Sequence, residues 1–229
     1  MSGILYVVAT PIGNLKDISQ RLRETLEAVA VILAEDTRVT LRLLNHLGIK
    51  KRLFSYTDHA SEQQEDKIIS ELESGVSFAL VTDAGTPGIS DPGHLLVERV
   101  LAAGLGVIPV SGPSAVATLV SVFGKPHTAH HFWGFFPTKT KKQKELVASI
   151  DLLSGIHVFF ESPFRILKTL EKYFLDKEHY HLVIGREMTK LYETFYRGTP
   201  QAVYEQLKAG VVKGEFCVGV MAQGSRPKA

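Results

Sequence analysis

The stretch that most constrains this chain is Ser77–Gly93, SFALVTDAGTPGISDPG. Its first five residues are a short apolar run of the kind a strand buried on both faces carries. The run stops at Thr82-Asp83, and the ten residues after Asp83 include three glycines and two prolines. Asp91-Pro92 then reads as a helix start, with Asp as N-cap and Pro at the first helical position. A strand, a long small-residue loop and a helix follow one another. In open α/β sheets ligands settle at the carboxyl ends of strands, and glycines there let backbone approach a ligand closely. The loop is read as a small-molecule binding loop.

The same grammar repeats along the first half. Ile4–Ala9 is a buried-strand run broken by Thr10-Pro11-Ile12-Gly13-Asn14. Asp17 with Gln20 resembles a capping box for a helix to about Ala28. Val31–Ala34 is a second strand, ending in Glu35-Asp36-Thr37-Arg38, with Thr37 the expected cap of a helix that stops at Gly48. A third strand near Leu53–Tyr56 leads into Thr57-Asp58-His59, and Ser61 with Gln64 caps a helix ended by Gly75. A helix from Pro92 to Ala103 follows the central loop, and strand Gly106–Val110 runs into Ser111-Gly112-Pro113-Ser114-Ala115. This alternation predicts a parallel sheet with helices on its faces. Every polar, glycine-rich break lies at a strand's carboxyl end, so all of them converge on one edge.

After about Phe123 the pattern changes. His130–Phe136 is aromatic and strand-like, and Thr138–Lys144 holds four lysines. Ile156–Phe160 reads as a strand followed by a Ser162-Pro163 helix start. His181–Gly185 is a strand, Leu191–Tyr196 alternates like a half-exposed one, Thr199-Pro200 starts the last helix and Glu215–Met221 closes the sheet. The expected architecture is α/β in two domains, 1–113 with a parallel sheet and 114–229 with a mixed one. The length of 229 residues accommodates either one large domain or two. No apolar run nears the roughly 20 residues a bilayer demands, and the start lacks the parts of a signal peptide, so a cytoplasmic protein is expected. Cys217 is the single cysteine, which excludes an internal disulfide and a cysteine-based zinc site; no metal is expected. A net charge of +2 means that any nucleic-acid surface is a local patch.

G-x-G-x-x-G after strand one and G-x-x-x-x-G-K-[ST] are both missing, which argues against a dinucleotide dehydrogenase and a P-loop NTPase. Glu35 and Asp36 stand at a strand end on the ligand edge, although carboxylates also suit a helix N-terminus for dipole reasons alone. His59 is either a general base or a solvated loop side chain. Arg38, Arg165 and Arg186 each stand close to a carboxylate in the chain, so structural ion pairs and phosphate contacts explain them equally. Lys139, Lys141, Lys142 and Lys144 read as a solvated loop or, beside Phe132, Trp133, Phe135 and Phe136, as a nucleic-acid patch.

ATPIGN at Ala9–Asn14, AEDTR at Ala34–Arg38, DAGTPGISDPG at Asp83–Gly93 and SGPSA at Ser111–Ala115 resemble the ribosomal RNA small subunit methyltransferase I family. FESPFR at Phe160–Arg165, REMTK at Arg186–Lys190 and KGEF at Lys213–Phe216 extend the resemblance over nearly the whole chain. It implies the tetrapyrrole methylase-like fold, with S-adenosylmethionine held in a cleft between two α/β domains. It implies 2′-O-methylation of a cytidine in 16S rRNA at the decoding centre. The cofactor contacts it suggests are Thr10, Pro11, Gly85, Thr86 and Pro87, then Ile89, Ser90, Ser114 and Ala115, with Phe160, Met188 and Glu215 from the second domain. Glu35 or Asp36 would orient or deprotonate the ribose, with His59 behind them, and Arg38, Arg165, Arg186 and the four lysines would meet RNA phosphates. Two features depart from the family. Its members usually carry His-Asn-Glu where this chain has His59-Ala60-Ser61-Glu62, and many continue into a helical extension where this chain stops at Ala229. A homodimer is then expected to supply RNA affinity. A tetrapyrrole methylase and a non-catalytic RNA-binding module are the rival readings.

Overall fold

The computed structural model describes residues 1–57, 59–127 and 129–222. The chain divides into two compact units, Met1–Ser114 and Ala115 onward, which are taken one at a time.

In the first unit the strands β1 (Ile4–Val8), β2 (Val31–Ala34), β3 (Arg52–Ser55), β4 (Phe78–Val81) and β5 (Gly106–Val110) form one sheet in the order β3-β2-β4-β1-β5. Every pairing is parallel, so all five carboxyl ends lie on one edge, as the alternation predicts. Successive residues of β2 and β4 enter opposite cores. Ile32, Ala34, Ala79 and Val81 pack with Leu22 and Leu26 of α1 (Gln20–Ala28) and Leu43 and Leu44 of α2 (Thr37–Leu47). Val31, Leu33, Phe78 and Leu80 pack with Ile68 and Leu72 of α3 (Glu62–Glu73) and Leu96 and Val100 of α4 (His94–Ala102). Each fully buried leucine contributes about 1.5–3 kcal/mol, which is why these runs carry no polar residue on either face.

Three helix starts differ from the sequence reading. Ser19, not Asp17, caps α1, because its hydroxyl reaches the Leu22 amide while Asp17 closes a 3-10 turn capped by Asn14. Asp36 rather than Thr37 caps α2, accepting from the Arg38 amide. Asp91-Pro92 does not open α4. Gly93 intervenes at φ 133, outside the helical region, with the Leu80 side chain 2.7 Å from where a Cβ would stand. Only a glycine fits that close turn. Ser61 caps α3 as expected. Asp58 lies outside the described residues.

In the second unit β6 (His130–Phe135), β7 (Ile156–Glu161), β8 (Tyr180–Arg186), β9 (Thr194–Gly198) and β10 (Phe216–Ala222) form a sheet ordered β6-β7-β10-β8-β9. Only β6 and β7 are parallel; the other pairings are antiparallel, so the sheet is mixed. One face is covered by α6 (Thr140–Leu152), α7 (Ile166–Tyr173) and α8 (Pro200–Ala209), the other by α5 (Ala115–Ser121). Here too local readings are corrected. The lysine segment is not a loop, because it opens α6. Ser162-Pro163 form a turn, and α7 begins only after Arg165. Residues 191–193 are a turn, with β9 starting at Thr194.

His157 on β7 is fully buried. The Trp133 indole N–H donates to its Nδ1 at 3.1 Å. An indole can only donate, so the proton sits on Nε2, which donates to the Leu153 carbonyl at 3.0 Å. Burial pushes its pKa below the ordinary 6.5. The unfolded chain therefore takes up a proton before the folded one does. Stability is expected to be full above about pH 6.5 and to fall as the pH drops below it. Thermal melting between pH 7.5 and 5.5 checks this, and His157→Gln should flatten the slope.

Candidate functional site

The carboxyl edge of the first sheet is laced together. After β1, Thr10 exchanges two backbone hydrogen bonds with Gly85, at 2.8 and 3.1 Å, and its hydroxyl donates to the Thr82 carbonyl at 3.1 Å. The Thr86 hydroxyl donates to the Pro113 carbonyl at 3.2 Å, tying the loop after β4 to the loop after β5. Pro87 is buried and Pro11 half-buried, so the prolines stiffen the base of the edge, while Gly88, Ile89 and Ser90 are exposed. Gly88 has φ 78 and open space on the side a Cβ would occupy. Thr10, Gly85 and Thr86 thus come together with the segment ending at Ser114. Ile89 and Ser90 stand outward as an accessible strip of backbone.

Thr82 is the residue the sequence reading missed here. It is buried, and its hydroxyl has no hydrogen-bond partner among the described residues. An orphaned buried hydroxyl costs about 1–3 kcal/mol, a debt that a ligand at this edge would relieve. The residues present fit a cofactor held by backbone groups and one hydroxyl.

Glu35 and Asp36 follow β2, the neighbour of β4. A Glu35 oxygen accepts the Asp83 amide at 3.2 Å, and an Asp83 oxygen accepts the Asp36 amide at 3.0 Å, so the two strand ends clasp each other reciprocally. The Asp36 carboxylate is held by Arg38, through its amide at 2.8 Å and its guanidinium at 2.6–3.1 Å. Those bonds pull its pKa down to about 2. A carboxylate so held is a poor proton acceptor, which weighs against Asp36 as the base. Asp83 behaves in the opposite way: partial desolvation raises its pKa, helped by the negative charge of Asp36. Its sequence signal was its place directly after a buried strand, the same signal that drew attention to Glu35. His59 lies apart, exposed beyond the edge strand β3, with its amide donating to the Thr57 hydroxyl at 3.4 Å.

In the second unit Phe160 on β7 meets the rings of Phe132 and Phe135 at 5.1 and 5.5 Å. Ala115 opens α5, and its carbonyl faces the buried Cys217 thiol. Met188 is buried in the turn after β8, where Glu187 at φ 49 and Thr189 at φ 67 hold left-handed backbone that non-glycine residues seldom adopt. The Thr189 hydroxyl, like that of Thr82, is buried without a partner. Glu215 is exposed and pairs with Lys190 at 3.0 Å, as does Glu187.

The basic residues separate into two kinds. Arg165 pairs with the buried Glu161 at 2.6 Å and donates to the Phe136 carbonyl. Arg186 is buried, donating to the carbonyls of Lys213 at 2.7 Å and Tyr192 at 3.2 Å. Its guanidinium is enclosed by its own unit, which favours the structural of the two readings given for it. Lys139, Lys141, Lys142 and Lys144 are all exposed around the first turns of α6, and none is ion-paired among the described residues. Arg38 is exposed but engaged with Asp36. No cluster of metal-ligating side chains occurs among the described residues, and none of their helices is long and apolar enough to cross a membrane.

A parallel sheet with its strand-end loops gathered on one edge, followed in sequence by a mixed sheet, is the architecture of the tetrapyrrole methylases, and the model of the family Tetrapyrrole (Corrin/Porphyrin) Methylases matches residues 4–204. A crystal structure of diphthine synthase superposes with a TM-score of 0.69 at 14% identity, over 97% of this chain and 90% of that one, a likeness of fold alone. Closer in sequence is ribosomal RNA small subunit methyltransferase I of Halalkalibacterium halodurans, 40% identical over 98% of this chain and 78% of that protein. The protein of that name from Escherichia coli O157:H7 is 43% identical over 86% of this chain and 69% of its own length. The chain belongs to the ribosomal RNA small subunit methyltransferase I family, and the resemblance carried by its motifs is borne out.

Proposed function

We propose that this protein methylates the ribose 2′-oxygen of a cytidine in 16S rRNA at the decoding centre, using S-adenosylmethionine. The observation that carries the reading is 40% identity to a named family member across 98% of the chain. When bound, the cofactor supplies a methyl group on a positively charged sulfur, already a good leaving group. The loop Gly85–Ser90 and the orphaned Thr82 hydroxyl are proposed to hold it. Much of the rate then comes from keeping acceptor and methyl in line on an edge stiffened by the Thr10–Gly85 and Thr86–Pro113 bonds. A ribose hydroxyl is a weak nucleophile and gains from a base at hydrogen-bond distance. Asp83 is our candidate for that base. One of its oxygens accepts the Asp36 amide, and the other has no hydrogen-bond partner among the described residues, although the Arg38 charge lies near enough to act on it. Glu35 positions Asp83 by accepting its amide.

Labelled methyl donor offered to small ribosomal subunits and, separately, to a porphyrinogen tests the reading. Incorporation into RNA at a cytidine whose 3′ bond resists alkaline hydrolysis is expected. Label in the porphyrinogen alone would replace it with small-molecule methylation. Absence of cofactor binding by calorimetry would leave a non-catalytic RNA-binding module.

The four lysines of α6 supply the electrostatic share of RNA binding. Each phosphate neutralised on a single strand adds about 0.7 to the slope of log K against log salt. Replacing all four with glutamine is expected to make that slope shallower by up to about 3, across RNA sequences alike. Filter binding over a salt series measures it, and an unchanged slope removes the cluster from the RNA surface.

A further inference from the structure

At one end of the second sheet, large apolar side chains stand in water on backbone that is firmly held. Phe164 is 90% exposed, Tyr192 68%, Leu191 88% and Phe135 61%. The topology gathers them. Strands β6, β7 and β8 all finish at this end, and β9 and β10 begin there. Phe135 ends β6, Phe164 lies in the turn after β7, and Leu191 and Tyr192 lie in the turn between β8 and β9. From β6 to β9 the edge is about 19 Å wide at about 4.8 Å per strand spacing.

These rings are not on frayed loops. The Phe164 amide donates to the Ser162 hydroxyl at 3.2 Å, and the next residue, Arg165, is anchored to Glu161 and to the Phe136 carbonyl. The Tyr192 carbonyl accepts from the buried Arg186 guanidinium at 3.2 Å and from the Thr194 hydroxyl at 3.1 Å. Arg186 thereby acts as a positioning residue for the Tyr192 turn. A ring whose backbone is already fixed loses little freedom when something stacks on it.

The charge around these rings points to the occupant. Apart from Glu145, which the four lysines beside it on α6 outnumber, the carboxylates at this end are engaged: Glu161 with Arg165, Glu187 and Glu215 with Lys190, and Glu193 with the Thr189 amide. The lysines of α6 are not. They also crowd the positive end of a helix dipole, with no acidic residue in the first turn, an arrangement that works against the helix. Cores of protein–protein interfaces are depleted in lysine, whereas surfaces that hold single-stranded nucleic acid pair lysines with aromatic platforms.

We propose that this end of the second unit is a stacking platform for single-stranded RNA, on which unpaired bases lie against Phe164 and Tyr192 while the α6 lysines follow the phosphates. The proposal rests on the RNA reading above and narrows it: the substrate presents an unstacked strand, because a ring needs an exposed base face and a duplex offers none.

The test uses the full chain, a single-stranded cytidine-containing RNA dodecamer, and the same dodecamer annealed to its complement, with affinity read by fluorescence anisotropy. Stacking on an aromatic ring is worth about tenfold or more per base. Phe164→Ala with Tyr192→Ala is expected to weaken the single strand at least thirtyfold and the duplex less than threefold. Phe164→Trp should keep the affinity, and its indole fluorescence should be quenched on binding. Both side chains are exposed, so melting temperatures should match the parent, which separates lost stacking from lost fold. Unchanged single-strand affinity in the double alanine variant overturns the platform, as does equal weakening of strand and duplex. Methyl transfer by the parent protein is scored separately: its absence overturns the enzymatic reading, and ring-independent RNA binding overturns only this one.

Discussion

Asp83→Asn is expected to lower methyl transfer by about 10²- to 10⁴-fold, the range a positioned general base supplies. The asparagine oxygen still accepts the Asp36 amide, so the clasp between the ends of β2 and β4 survives. Cofactor affinity, measured by calorimetry, should stay within about threefold of the parent. Asp36→Asn is expected to cost less than tenfold, because the carboxylate removed is one that Arg38 already holds at a pKa of about 2. The pH profile adds an independent reading. Asp83 titrates above its ordinary value, so the rate should climb with pH through that raised pKa and then level off. A full-rate Asp83→Asn protein would dismiss Asp83, and an equally crippled Asp36→Asn protein would return the role to the β2 end.

The second large effect is on stability. Arg165→Ala leaves the Glu161 carboxylate, whose side chain is wholly buried, without its cation. Breaking a buried pair from one side typically costs about 3–5 kcal/mol. Here the Ser162 amide at 2.6 Å and the Thr169 hydroxyl at 2.7 Å still donate to Glu161, so the loss should fall near the lower figure. For a unit of this size that corresponds to a fall in melting temperature on the order of 10 °C. Adding Glu161→Gln should restore part of the loss, since the buried charge disappears and the Thr169 hydroxyl can turn to accept. If Arg165 were instead a phosphate contact, its alanine variant would melt like the parent and show a shallower salt slope. The same pair steadies the turn that presents Phe164, so the unstable variant should also bind single-stranded RNA less well.

Elsewhere the sequence was sufficient. The boundaries of β2 and β5 were legible to the residue: β2 because a strand buried on both faces must be apolar throughout and stops where polar residues begin, and the largely exposed edge strand β5 because Ser111-Gly112-Pro113 punctuates its end. The convergence of the breaks on one edge followed from alternation alone, since parallel strands joined by helices end on the same side. Helix starts were less legible. Asp17, Thr37 and Asp91 all have capping chemistry, but a cap is chosen by which side chain reaches a free amide, as those of Ser19 and Asp36 do, while Gly93 precedes α4 because only a glycine fits the turn there. The lysine segment looked like a loop because four cations at a helix start are locally unfavourable, and the apolar Leu146, Val147 and Ile150 further along hold the helix against the sheet.

The sequence by itself determined the fold class, the family and the one edge on which the strand-end loops gather, because those depend on apolar periodicity and on short motifs contiguous in the chain. Only the tertiary structure decided which carboxylates clasp each other's strand ends and which arginine is buried. Asp36 and Asp83 are 47 residues apart in sequence and one hydrogen bond apart in space. A side chain's charge state is set by the partners and the burial around it: Arg38, two residues along, holds Asp36, whereas the clasp between Asp36 and Asp83 joins two strands that only folding brings together.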